Sequence, residues 1–336
     1  GTALWRLSLG YTSKLDANLT FRRKSNNKEL SLQTCNVLKG IAILGVFVGH
    51  CSKEFHGLVL YKLFCSLGLF SVSLFFFISG YGLMYGVMHK ADYQKSFLRK
   101  RVLPIILTYT IVVLFYWGIS DFEGLDWKRV LLCCYIPFSW YIFSIISLYG
   151  MTYIALLYTQ NARKIIIIVT LLLVVYIAVA LYFEQLLPYP LLGGLQMITF
   201  IIGMMLATFK ELHKLLSNNN WFALFVFLFF VFWGFNLTDK YVHWPKVIIN
   251  VSDEIQSYIF PFVIFGFMRL VEVTRLESLW RVLQRYSLEI YLFHGCVLFA
   301  MLERYSFCSE LYIFAVFSIT LVLSVATKKV VCLISN

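Results

Sequence analysis

This 336-residue sequence predicts an all-α polytopic bundle of about ten transmembrane helices, with both termini on the cytoplasmic side. Composition, run length and charge placement point the same way. The chain is 60% hydrophobic and 18% aromatic but only 14% charged, whereas a soluble domain is about half apolar and a quarter charged. Its apolar residues come in long runs. The stretch from Ile165 to Phe183 carries no charge and is long enough to cross a hydrocarbon core of ~30 Å at ~20 residues per span. The runs lack the apolar/polar alternation of a barrel strand, and in lipid a helix satisfies its own backbone hydrogen bonds.

Spans are expected at roughly 37–51, 63–88, 102–119, 139–159, 165–183, 190–208, 221–236, 255–271, 286–302 and 310–327. Pro104, Pro188, Pro190 and Pro261 fall at or near the ends of these segments, where proline disturbs a helix least. With the N-terminal segment placed inside, alternate loops sort the charges. The inner side receives 22 of the 29 Lys and Arg residues and six acids, and the outer side seven basic residues and ten acids. That bias is the positive-inside pattern and requires an even number of spans. The net charge of +12 is therefore a topology signal and not a nucleic-acid footprint.

Residues 1–30 form a polar, basic N-terminal segment, and residues 31–336 a single membrane-embedded domain. Residues 121–137, with Asp121, Glu123, Asp126 and Trp127, read as an outer interfacial segment. Asn236-Leu-Thr238 and Asn250-Val-Ser252 are expected in outer loops as glycosylation acceptors. The eight cysteines show no metal-ligand spacing and read as small buried apolar residues. No cleavable signal peptide is visible, and the loops are short, so any chemistry takes place within the bundle or at its faces.

Ionisable residues inside spans are costly and tend to face the bundle interior or a wet cavity. The first span has one at each end, Lys39 and His50. Eleven residues is three helical turns, which places both on one face, ~16 Å apart along the axis. Two readings are open. Lys39 snorkels to inner headgroups and His50 marks the outer boundary, or His50, suited to proton transfer near neutral pH, takes part in chemistry. Gly40, Gly45 and Gly49 let a neighbour approach this helix closely. Phe75-Phe76-Phe77-Ile78-Ser79-Gly80-Tyr81 in the second span suggests a tight helix crossing. The run Arg99-Lys100-Arg101 before Pro104 is either a positive-inside stop or a clamp for an anionic ligand. Trp140-Tyr141 opens the fourth span at the outer face. His294 lies mid-span, and Glu289, ~140° around the same helix, is free to pair with an inner cation.

These segments, in this order, resemble the acyltransferase 3 family of membrane proteins. The resemblance lies in Leu38-Lys39-Gly40-Ile41-Ala42 with Gly49-His50 after it, Phe75-Phe76 with Ser79-Gly80, and Arg99 to Arg101 before Pro104. It continues in Trp140-Tyr141 and in Tyr286-Ser287 followed by Tyr291-Leu-Phe-His294. Lys39 stands where the family usually has Arg, and Asn36 where it has Asp; the charge is kept but the bidentate fork is lost. The resemblance implies an O-acyltransferase that moves an acyl group, most often acetyl, from acyl-CoA to a hydroxyl of a cell-surface glycan or lipid-linked sugar. His50 would be general base or transient acyl carrier. Lys39, Arg99, Lys100 and Arg101 would hold the donor, and Ser79, Tyr81, Trp140, Tyr141 and His294 would line the pocket. It further implies acyl-CoA as co-substrate with no bound cofactor or metal, a glycan or glycolipid acceptor, no nucleic acid, and residence in a bacterial inner membrane. The competing reading is a transporter or flippase for an anionic or lipid-linked substrate, although no inverted repeat is evident. A non-catalytic sensor or scaffold and a glycan polymerase are further alternatives.

Overall fold

The computed structural model describes residues 32–52, 64, 66–90, 92–120, 124–184, 195–212, 218–270, 277–302 and 309–335. The polar segment 1–30, Asp121, Glu123, Pro188 and Pro190 lie outside the described residues. Among those described there is no strand. The helices are α1 (Leu32–Cys51), α2 (Leu67–His89), α3 (Leu103–Ile119), α4 (Trp127–Leu131), α5 (Trp140–Tyr158) and α6 (Ala162–Glu184). They continue as α7 (Ile198–Thr208), α8 (Asn219–Val242), α9 (Lys246–Leu270), α10 (Glu277–Arg285), α11 (Ser287–Leu302) and α12 (Ser309–Ser335). A π-turn, Leu98–Val102, leads into α3, and a 3₁₀ turn, Leu195–Met197, into α7.

The described residues of each of the ten expected segments are mainly helical. Among the described residues eight helices are long and apolar enough to cross a membrane, and two apolar helices are shorter, Leu195–Thr208 and Ser287–Met301. This is a multi-pass integral membrane protein. Its core is α2, whose span is 78% buried, whereas none of the α8 span is. α1, α7 and α9 pack around α2, and α8 closes the outside by pairing with α9 through rings such as Phe225 and Phe262.

Small residues set the closest approaches. A Cβ on Gly80 would stand 2.0 Å from the Phe200 carbonyl oxygen, and one on Gly203 2.1 Å from the Phe77 carbonyl oxygen. The α2–α7 crossing is thus backbone against backbone, as small residues permit inside membranes. Gly45 meets Ser71 and Gly49 meets the Gly68 backbone along the α1–α2 seam, while Gly40 lies under the Trp280 ring of α10.

Two expectations change. Pro261 sits inside α9 and not near a span end, because α9 begins at Lys246, nine residues before the expected boundary. The polar stretch 250–254, expected in an outer loop, is helical, with polar groups bonded inside the bundle. Asn236 Nδ2 donates to Asp253 at 2.7 Å, Gln196 Nε2 to Glu254 at 3.0 Å, and Ser252 Oγ to the Ile248 carbonyl at 2.7 Å. Both glycosylation sequons consequently lie in helices, Asn236 in α8 and Asn250 in α9, and not in outer loops. Glu289 does find a cation: Lys328 Nζ lies 3.0 Å from its carboxylate and ties α11 to α12.

Candidate active site

α1 is continuous from Leu32 to Cys51, so Lys39 and His50 keep their shared face and their ~16 Å axial separation. At the far end of α1 the His50 ring stacks on Phe138, with centroids 3.9 Å apart, and faces His294 of α11 at 5.1 Å. His50 Nε2 faces Gly68 of α2, 3.8 Å from where a Cβ would stand there, an ordinary contact distance.

His294 is buried, and its Nδ1 lies 2.6 Å from the Tyr291 carbonyl oxygen. A carbonyl only accepts, so Nδ1 carries the proton and the neutral ring keeps its lone pair on Nε2. Nε2 is buried and has no hydrogen-bond partner among the described residues. The helix has therefore fixed one tautomer, which leaves a basic nitrogen in the interior beside His50.

Phe138, which the sequence reading missed, packs against both of these rings. It stacks on His294 at 5.9 Å. Its φ of 62° lies in the left-handed region, which a bulky side chain occupies only under constraint. The constraint is visible: the Tyr291 hydroxyl donates to the Phe138 carbonyl. Gly295 makes the room, since a Cβ on it would be 2.6 Å from the Pro137 carbonyl oxygen. Tyr291→Phe keeps the ring and removes only the hydroxyl that holds this turn. We expect kcat for acyl transfer to fall about tenfold with donor KM unchanged, because a small misplacement of reacting groups is costly; steady-state kinetics reads the split.

The other predicted pocket residues divide. Tyr141 is buried, interacts with Ser79 and packs against Tyr291 at 5.3 Å, so Ser79 and Tyr141 join the wall behind the histidines. Trp140 packs on the core beside them. Tyr81 points elsewhere and stacks along α2 on Tyr85.

At the Lys39 end the π-turn decides which cation turns inward. Arg99 and Lys100 are exposed, whereas Arg101 is partly buried. Arg101 Nε donates to the Tyr93 hydroxyl at 2.9 Å and Nη2 to the Gly82 carbonyl at 3.3 Å, and the guanidinium also interacts with Tyr149. Burial pushes the Tyr93 phenol above its ordinary value against the pull of Arg101, so Tyr93 stays protonated and accepts. Lys39 feels the charge of Arg101, and among the described residues neither has a carboxylate at ion-pair distance. Two neighbouring desolvated cations without an acid favour an anionic ligand. Trp280, absent from the sequence reading, lies across Gly40 with its indole nitrogen buried and without a partner among the described residues.

A histidine pair around His50 and a two-cation cluster around Lys39, about three turns apart along α1, form an arrangement able to carry out group transfer. The acyltransferase 3 family, described as an acyltransferase domain, matches residues 33–329. The chain belongs to this family. It is accordingly an acyl-transferring membrane enzyme, and the matched region holds every site residue described above. No curated protein and no solved structure matches the chain.

Proposed function

We propose that the protein is an O-acyltransferase that takes an acyl group, acetyl in the simplest case, from acyl-CoA and passes it to a hydroxyl of a glycan or lipid-linked sugar, with His50 as general base. The observation that carries this reading is the pairing, on one face of α1, of a cation cluster at Lys39 with an imidazole pair at His50. CoA is polyanionic, and its pantetheine arm is an extended chain suited to the ~16 Å between them. Lys39 and Arg101 hold the phosphates; the exposed Arg99 and Lys100 steer the donor to the entrance.

The step balances without any further reactant. A nitrogen of His50 accepts the proton of the acceptor hydroxyl as its oxygen attacks the thioester carbonyl. The C–O bond forms and the C–S bond breaks. The CoA sulfur leaves with the electron pair and recovers the proton from His50 as the free thiol. The alternative role for His50, a transient acyl carrier, uses the same geometry with the imidazole as nucleophile. His294, with its tautomer fixed, orients its partner. On this topology Lys39 is cytoplasmic, where CoA is made, and the membrane is a bacterial inner membrane.

The test is thioester loss from acetyl-CoA, then from longer acyl-CoAs, by protein purified in detergent with a panel of glycans. Turnover that requires a glycan hydroxyl supports the reading, and absence of both consumption and binding of every acyl-CoA sinks it. Arg101→Ala removes charge-assisted hydrogen bonds worth ~1.5–3 kcal/mol each. We expect a rise of about 10–100-fold in the acetyl-CoA Kd, measured by equilibrium binding. A transporter would instead move substrate without consuming thioester.

A further inference from the structure

α11 carries two groups of the candidate site, Tyr291 and His294, and α12 holds α11 on either side of them. Before Tyr291, the Glu289 carboxylate meets Lys328 Nζ of α12 at 3.0 Å. The Glu289 side chain is fully buried and that of Lys328 is 27% exposed. After His294, the Leu298 carbonyl accepts from the Tyr312 hydroxyl of α12 at 2.9 Å, in a buried bond. Along α11 the two ties stand about 14 Å apart, with Tyr291 and His294 between them. A single tie would act as a pivot, whereas two at separate heights leave the helix no free rotation.

α12 reaches α1 as well. Phe47 and Cys51, on either side of His50 in α1, share a buried apolar cluster with Val297 and Leu298 of α11 and with Tyr312 and Val316 of α12. The Phe47 and Phe317 rings meet at 5.1 Å. His50 and His294, 5.1 Å apart, thus stand at a junction of three helices, of which α12 is the third.

Holding two helices together does not by itself call for charge. An ionisable group in a span is costly, and apolar side chains in place of a buried ion pair commonly serve stability as well or better. Glu289 Oε2 is moreover buried without a hydrogen-bond partner among the described residues, which makes the pair a poor source of stability. What a charged pair adds over apolar packing is a fixed register. We infer that Glu289, Lys328 and Tyr312 are positioning residues, which hold α11 at the rotation and height that bring His294 to His50 and the Tyr291 hydroxyl to the Phe138 carbonyl. The placement belongs to the fold; its effect on turnover rests on the acyl-transfer reading above.

The test is carbethoxylation by diethyl pyrocarbonate, followed at each histidine by mass spectrometry on protein purified in detergent, and it needs no substrate. Glu289→Leu with Lys328→Leu replaces the pair by apolar side chains, and Tyr312→Phe removes one hydroxyl; the latter carries the test if the double-leucine protein does not fold. Each should raise the rate at His50 or His294 about threefold or more, as local opening does. The rates at His89 and His243, which are exposed and lie elsewhere, should not change. Unchanged rates at both His50 and His294 in a folded variant overturn the inference, and so does an equal rise at all four histidines, which would report general loosening. With acetyl-CoA and a panel glycan that supports turnover, kcat should fall about tenfold at unchanged acetyl-CoA KM. Tyr291→Phe added to the double-leucine variant should then cost little more, because both act on one turn; fully additive losses overturn the inference. A wild type that consumes no acetyl-CoA counts against the proposed reaction and leaves the carbethoxylation rates to decide this one.

Discussion

His50→Ala is expected to yield a folded, donor-binding protein whose acyl transfer falls by on the order of 10²–10⁴-fold, the usual worth of a positioned acid–base group. The ring is partly exposed and lies at the end of α1 against Phe138 and His294, so its removal leaves the α1–α2 seam at Gly45 and Gly49 in place. The acetyl-CoA Kd should stay within about twofold, because the cation cluster is centred on Lys39, roughly three turns away along α1. Thioester consumption and equilibrium binding, measured on the same preparation, separate this outcome from a mere packing defect. Retained turnover in a folded His50→Ala protein would move the base to His294, whose Nε2 is the other basic nitrogen in the pair.

The second large effect is structural. Gly80→Ala puts a methyl group 2.0 Å from the Phe200 carbonyl oxygen. Ordinary overpacking costs about 1–3 kcal/mol because side chains can shift. Here the obstacle is backbone, so α2 and α7 must separate as rods and the cost should exceed that range. The expected result is little or no monodisperse protein on size exclusion. Gly203→Ala should behave alike, since its Cβ would meet the Phe77 carbonyl oxygen at 2.1 Å. Gly150→Ala is the control, with nothing within 4 Å of its Cβ; it should match or slightly exceed wild-type stability, as helical Gly→Ala does by ~0.5–1 kcal/mol. If Gly80→Ala melted with the wild type, the close crossing would be refuted.

Much of the architecture was legible because hydropathy and helical phase are local signals. The spans, the shared face of Lys39 and His50, and the glycine approaches all follow from fixed spacing along one helix. The failures share a cause. Phe138 reaches the histidines through a left-handed turn pinned from Tyr291, 153 residues away, and no periodicity announces that. Arg99, Lys100 and Arg101 were read together, as a positive-inside stop or as a clamp, and only the fold tells them apart: through the π-turn Arg101 is partly buried while Arg99 and Lys100 are exposed. The stretch around Asp253 and Glu254 was read as loop because its polarity was counted without its partners. Asn236 and Gln196 supply them from distant parts of the chain.

The bare α2–α7 crossing has a consequence for biosynthesis. Gly203 of α7 supplies one half of that crossing, so the crossing cannot form until α7 has been inserted. α2 emerges from the ribosome more than a hundred residues earlier. It must wait in lipid with the groove at Gly80 open until α7 arrives, and an insertase that shelters that groove would govern the yield of functional protein.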